Sequence, residues 1–315
     1  MSNSSQNLRL GTRGSLLART QSQLVADELM RRHPGLRVEL VTMVSTGDRV
    51  QDRPLHDIGG KGLFTKELEQ ALLAREIDFA VHSFKDVPVT MPLVDQSDLI
   101  IAAVPKREDP REVLAFRDPT QHAIPPRARV ATSSLRRRCQ LLELPTDITI
   151  VPVRGNIDTR LRKLRAGEFD VLVLAYAGLK RCGLFDISYM RILEASDVLP
   201  APAQGALALQ CRRDDASTRE LLAAIDHEPS RRRVEAERAV VAALGGDCHS
   251  PIAALAEADE FLGGALRLTA CVGARDGNPP LIRAFATAQE PSFPVDAVVA
   301  DLQRQGVERL LRGSA

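Results

Sequence analysis

Lys85 and Asp86 stand side by side where an apolar run ends, in the stretch His82-Ser-Phe-Lys85-Asp86-Val-Pro88. In α/β proteins ligands collect beyond the carboxyl ends of strands, so both charges are placed to address a bound molecule. The plainer alternative is a surface ion pair, and spacing alone does not choose between them. An aspartate among arginines is suited to stabilise positive charge on a ligand nitrogen or to deliver a proton to it. The arginines are close at hand. Residues 127–165 hold nine Arg and one Lys against Glu143, Asp147 and Asp158, a net charge of +7 in a chain whose total is +1. Such a run is usually a solvated basic face. Placement argues otherwise, because Arg136, Arg137 and Arg138 open a helix directly after Thr132-Ser-Ser134, and Arg154 and Arg160 flank a second strand-to-helix turn at Arg154-Gly-Asn156. Free N–H groups at helix starts favour anions, and Arg grips carboxylates with two parallel bonds. Arg13 and Ser15 occupy the equivalent turn earlier in the chain. The expected ligand is a polyanion carrying carboxylates or phosphates. Few aromatic residues are interleaved for base stacking, so nucleic acid is the weaker reading.

A third cluster is Gly245-Gly-Asp-Cys248-His249-Ser-Pro251. A thiol in a Gly-rich loop beside a histidine is a nucleophile candidate, whereas Cys139, Cys182, Cys211 and Cys271 read as small core residues. Adjacent Cys and His make a poor protease dyad, although a thiol-dependent hydrolase is one reading of this loop. The six histidines show no metal-ligand spacing, so no metal site is expected. Gly59-Gly-Lys61-Gly62 lacks the spacing of a phosphate-binding Walker loop.

Alternating elements must position these clusters. Residues 8–10 form a strand leading to a helix that Ser15 caps. Strands at 38–43 and 77–81 enclose an amphipathic helix marked by Phe64, Leu68, Ala71 and Leu72. The same order recurs as a strand at 130–131, a helix at 135–142, a strand at 148–153, a helix at 157–166 with Asn156 at its cap, and a strand at 169–174. Strands alternating with helices predict βαβ units and mostly parallel sheets. Two similar lobes follow, spanning residues 1–105 (completed by 199–220) and the Arg-rich 106–198. Crossings near Asp109-Pro110 and Leu199–Gly205 are the mark of a hinged clamshell with its ligand in the cleft. Residues 221–315 read as a small α+β domain, with a helix at 234–244, strands at 252–256 and 266–272, and a closing helix at 295–305.

Composition narrows the class. Of 315 residues 44% are apolar, too many for a disordered chain, and the length suits two or three domains. With no Trp, two Tyr and nine Phe, the chain lacks the aromatic residues that base-stacking modules and antibody-like sandwiches use. No run approaches a membrane span and no basic, apolar leader opens the chain. Five scattered cysteines fit reduced thiols. A cytoplasmic protein is expected.

Taken in order, the motifs Gly59-Gly-Lys-Gly-Leu-Phe64, Ala80-Val-His-Ser-Phe-Lys-Asp-Val-Pro88, Arg107-Glu-Asp-Pro-Arg111, Thr132-Ser-Ser-Leu-Arg-Arg137, Arg154-Gly-Asn156, Ala175-Tyr-Ala-Gly-Leu-Lys180 and Gln204-Gly205 resemble those of the porphobilinogen deaminase family, the hydroxymethylbilane synthases. The resemblance runs from Leu8 past Val272. It implies an α/β fold of two hinged lobes like those of periplasmic binding proteins, plus a small C-terminal domain. It also implies a transferase of tetrapyrrole (porphyrin and haem) biosynthesis that deaminates four porphobilinogen molecules, joins them head to tail on a dipyrromethane primer and releases hydroxymethylbilane.

By that resemblance Asp86 is catalytic and Cys248 carries the dipyrromethane cofactor through a thioether. Asp48, Lys85, Thr132, Ser133, Ser134, Arg136, Arg137 and Gln204 contact the cofactor. Arg13, Ser15, Lys61, Ser83, Arg154, Asn156 and Arg160 contact the substrate. The family loop reads Leu-Glu-Gly-Gly-Cys where this chain has Leu244-Gly-Gly-Asp-Cys248, and an acid beside the thiol disfavours the thiolate, which His249 offsets if protonated. The rival reading is a clamshell protein that binds a dicarboxylate without chemistry, and such a protein has no use for a loop thiol.

Overall fold

The computed structural model describes residues 7–43, 65–89, 98–247, 250–259, 265–289 and 293–312. The chain divides into two compact units, the first formed by Met1–Glu108 with Ala206–Arg231, the second by Asp109–Gly205 with Arg232–Ala315. In chain order the elements are β1 (Asn7–Arg13), α1 (Leu16–Arg32), β2 (Arg37–Met43), α2 (Lys66–Leu73), β3 (Phe79–Ser83), a single 3-10 turn (Phe84–Asp86) and β4 (Leu99–Ala103). Next come β5 (Glu112–Phe116), β6 (Ala128–Ala131), α3 (Leu135–Leu142), β7 (Ile148–Val151), α4 (Ile157–Arg165), β8 (Val171–Ala175), α5 (Tyr176–Arg181) and β9 (Met190–Ile192). The rest is β10 (Leu207–Arg212), α6 (Ala216–Ala223), α7 (Glu228–Ala243), β11 (Ile252–Asp259), β12 (Ala265–Gly273), β13 (Leu281–Ala288), α8 (Val295–Arg304) and α9 (Val307–Arg312).

The first unit is built on a five-stranded sheet in the order β2-β1-β3-β10-β4, and the second carries its counterpart, β7-β6-β8-β5-β9. Each has four strands running one way and one opposed. β10 is antiparallel to both β3 and β4, and β5 is antiparallel to both β8 and β9. The expected α/β class with mostly parallel sheets is therefore what the chain forms. The opposed strand in each sheet follows a crossing of the chain between units, so it enters from the other end.

Local sequence explains the first βαβ step. Ser15 ends β1's turn and caps α1, its Oγ accepting from the Ala18 N–H at 3.3 Å. Ser15→Ala is expected to destabilise the first unit by about 1 kcal/mol in urea denaturation, with no change in denaturation slope. Helix α2 turns Leu68, Ala71 and Leu72 inward at helical spacing onto Ile77, Ala80 and Leu99. The helix lies so close that a Cβ on Gly11 of β1 would collide with the Ile77 and Leu68 side chains.

The C-terminal sheet, β11-β12-β13, is an antiparallel meander within the second unit. Its third strand is absent from the sequence reading, because β13 buries only Ala284 and offers little apolar pattern. Polar contacts tie this sheet into the second unit. Glu143 accepts from the Leu281 N–H and pairs with Arg283 at 2.8 Å, and Arg138 donates to Asn278 Oδ1. Buried Glu237 of α7 accepts from the Ala203 and Ala256 N–H groups.

Two boundaries differ from expectation. Residues 199–205, expected to complete the first lobe, are held in the second unit, where Leu199 bonds to Arg136 and Gln140 through its backbone. Residues 221–231 belong to the first unit, where Asp226 accepts from the Val104 N–H and pairs with Arg231. No helix among the described residues is long and apolar enough to cross a membrane.

Candidate active site

In the first unit β1 and β3 are parallel neighbours, so their carboxyl ends emerge at one edge of the sheet. That edge presents Arg13 and Ser15 from one strand end and Ser83, Lys85 and Asp86 from the other. Phe84 and Val87 are buried on either side and pin the turn, while Asp86 between them is exposed. Asp86 makes no hydrogen bond or ion pair among the described residues, so the alternative of a Lys85–Asp86 surface pair does not hold. Its neighbours are engaged. Ser83 donates to Gln21 at 3.1 Å, Ser15 caps α1, and half-buried Lys85 and Arg13 hold polar partners.

His82 lies beneath this edge, buried, with Nε2 2.9 Å from Gln210 Oε1. Burial pushes its pKa down to about 4, and the nearby Arg13 charge acts in the same direction while the bond to Gln210 opposes it.

In the second unit the carboxyl ends of β6 and β7 also lie together, because the two strands are parallel neighbours. Ser133 stitches them, its hydroxyl donating to Val153 O at 2.8 Å and accepting from the Val153 N–H at 3.0 Å. Ser134 caps α3 by accepting from the Arg137 N–H, and the buried Thr132 hydroxyl accepts from the Ser134 N–H. Gly155 takes a left-handed φ of +106° and its carbonyl accepts from Arg160 Nε at 2.7 Å. Exposed Asn156 stands at the N-cap of α4 without a side-chain cap bond, and Arg154 is half-buried.

Arg136 and Arg137 turn inward, which the sequence did not announce. Both converge on Glu112, the first residue of β5, which is fully buried. Arg136 meets Glu112 Oε1 at 2.6 Å, and Arg137 grips both oxygens through Nε and a terminal nitrogen at 3.1 and 2.7 Å. Their remaining bonds run to backbone, from Arg136 to Leu199 O and from Arg137 to Val173 O. Burial pushes the Arg136 pKa down and the Arg137 charge adds to this, while Glu112 opposes both. Two guanidinium groups share one carboxylate, which leaves this cluster with one positive charge in excess. An acidic, carboxylate-bearing group is the complement of that arrangement.

Gln204 is also buried and donates to Pro110 O at 2.7 Å, so it links the two segments where the chain crosses between units. Asp48, Lys61, the loop 59–62, Phe64, Cys248 and His249 lie outside the described residues. On either side of the cysteine, Asp247 accepts from the Ser250 hydroxyl and N–H at 2.9 and 3.0 Å. Burial pushes the other thiols up, Cys139 and Cys211 to about 11 and Cys271 to about 12, so these three are inert core residues. Cys182 departs from the expected core role and is half-buried. Among the described residues no group of three or more His, Cys, Asp or Glu is arranged to hold a metal.

Sequence reasoning missed Glu112 and Gln210. The only signal was a lone Glu opening the apolar run Glu112-Val-Leu-Ala-Phe116 and a lone Gln inside Leu207-Ala-Leu-Gln-Cys-Arg212.

Comparison with known proteins shows the family. The family model described as porphobilinogen deaminase, dipyromethane cofactor binding domain, matches residues 8–220, and that of the porphobilinogen deaminase C-terminal domain matches residues 231–295. A protein of Roseiflexus sp. (strain RS-1) named porphobilinogen deaminase is 45% identical over 311 residues, covering 98% of this chain and 99% of its own. A namesake from Roseiflexus castenholzii (strain DSM 13941 / HLO8) is 42% identical over 310 residues, with the same coverage of both chains. With both family models in register and near-complete relatives at that identity, the chain belongs to the porphobilinogen deaminase family.

Proposed function

We propose that this protein deaminates porphobilinogen, joins four of the resulting pyrrole units head to tail on a dipyrromethane primer, and releases hydroxymethylbilane for tetrapyrrole biosynthesis, working as a monomer in the cytoplasm. The observation that carries this reading is the Asp86 carboxylate, exposed and without a partner among the described residues, at the end of a buried strand whose other polar side chains are engaged. A carboxylate left uncommitted there is available to a ligand cation.

The residues divide the work by charge. Each porphobilinogen carries two carboxylates and one amine, so binding calls for guanidinium groups and the departure of ammonia calls for an acid. Arg13, Arg154 and Arg160 are suited to the acidic arms, and each such pair is worth about 1.5–3 kcal/mol. Ser15, Ser83 and Asn156 add hydroxyl and amide contacts at the same strand ends, and Lys61 is assigned with them from its place in the motif. Asp86 stabilises positive charge on the pyrrole nitrogen and hands a proton to the leaving amine.

The excess charge of the Arg136–Arg137–Glu112 cluster fits the acidic side chains of dipyrromethane, and Thr132, Ser133, Ser134 and Gln204 belong to the same unit; Lys85 and Asp48 are assigned to the cofactor by the family resemblance. When bound through Cys248, that group supplies the pyrrole carbon to which the first unit is joined. In this assignment the Ser250 bonds to the Asp247 carboxylate temper the charge beside Cys248.

Intact mass tests the tether. The purified protein is expected to carry one dipyrromethane adduct, and Cys248→Ala is expected to have the mass of the bare polypeptide. An adduct that survives the substitution places the linkage elsewhere. Incubation with porphobilinogen is expected to release ammonia while the mass rises in steps of one pyrrole unit. A dicarboxylate-binding protein would show neither.

A further inference from the structure

We propose that His82 is a positioning residue for Asp86, held as the neutral Nε2–H tautomer by a buried hydrogen-bond chain from Glu69 through Gln210. The inference rests on the reading of Asp86 as the reacting carboxylate. β3 and β10 are antiparallel, with His82 opposite Ala208 and Gln210 opposite Ala80. The two long side chains are thus diagonal neighbours on one face, each leaning over an alanine small enough to let them meet. Gln210 donates from its amide nitrogen to Glu69 Oε1 at 3.1 Å, so its Oε1 at 2.9 Å from His82 must accept, and His82 Nε2 must carry the proton. Glu69 and Gln210 are fully buried and His82 nearly so. An apolar trio would fill this space without the desolvation cost, and what the polar chain adds is one fixed arrangement of the strand pair.

The same strand pair holds the approach to Asp86. Leu207 pairs with Ser83, the Phe84 N–H donates to Ala206 O at 3.0 Å, and the next two residues are Lys85 and Asp86. β10 therefore guides β3 up to the point where the carboxylate leaves the sheet. The amide of Gln210 also stands between the Glu69 carboxyl group and the imidazole. A carboxylate at that place would favour protonation of the imidazole and break the neutral hydrogen-bond chain.

The test uses the holoenzyme and the variants His82→Phe, Gln210→Leu and His82→Gln, with intact mass to confirm the primer. The first two are expected to lower kcat about 10- to 100-fold with KM within about twofold, the result of a displaced reacting group. In His82→Gln the amide can still donate to Gln210, and kcat is expected within about threefold of wild type. Wild-type kcat in His82→Phe and Gln210→Leu, or no rescue by glutamine, overturns the inference. Where variants fail to fold, nitrogen NMR of the wild-type imidazole decides: a protonated Nε2 and a bare Nδ1 between about pH 5 and 8 support it, and a cation or the other tautomer overturns it. Asp86→Asn run in parallel separates the two ideas. If it retains turnover, the reading of Asp86 fails and the inference with it. If it is inactive while Gln210→Leu is normal, only the inference fails.

Discussion

Asp86→Asn is expected to abolish nearly all turnover, by about 10²- to 10⁴-fold in kcat, while leaving the fold and the bound primer intact. The substitution removes a charge and changes almost nothing in shape. Asp86 is exposed at the end of its turn and holds no partner among the described residues, so its charge contributes nothing to the described packing. The urea midpoint should match wild type within about 0.5 kcal/mol, as for other surface changes. The chemical step has no such tolerance, because asparagine offers no full negative charge to a pyrrole cation and no acidic proton to the departing amine. Single-turnover ammonia release, measured beside intact mass, separates the two effects. Near-normal turnover with the primer in place would remove Asp86 from its assigned role.

What the sequence disclosed and what it hid follow the same physical line. Helix α3 is legible at both ends, because the Thr132-Ser-Ser134 cap and the apolar spacing after it are local signals. Asp86 is legible for a related reason, since an acid placed where an apolar strand stops needs only its neighbours to be noticed. The opposed strands β5 and β10 are not legible as such. They enter their sheets after the chain has crossed from the other unit, and β10 interrupts its apolar run with Gln210 and Arg212. Their polar side chains make sense only through distant partners: Gln210 bonds His82 at a separation of 128 residues and Glu69 at 141. The arginine run shows both sides of this limit. Its position at a helix start pointed to an anion, and the structure supplies one in Glu112, 24 residues before Arg136, instead of leaving both guanidinium groups facing outward. A charge count reveals an excess of cations but not which carboxylate already sits among them.

That shared carboxylate is the basis for an ordered set of stabilities. Glu112→Leu is expected to destabilise the protein by about 3–5 kcal/mol, because it strips the common partner from two buried guanidinium groups and leaves them facing each other. Arg136→Met is expected to cost far less, on the order of 1 kcal/mol, since Arg137 keeps its two bonds to Glu112 and the remaining pair is neutral. The burial that already pushes the Arg136 pKa down works in the same sense, because replacing that side chain relieves a desolvated charge. Replacing all three residues with Leu, Met and Met should recover much of what Glu112→Leu loses, since no buried charge is then left alone. It should also lower loading of the acidic primer onto the protein, because the excess positive charge proposed to complement it has gone. Urea midpoints of the single and triple variants, taken with primer occupancy by intact mass, test the whole arrangement. If Glu112→Leu proved no less stable than Arg136→Met, the carboxylate would not be the shared partner that holds the pair, and the charge excess assigned to this cluster would have to be compensated elsewhere.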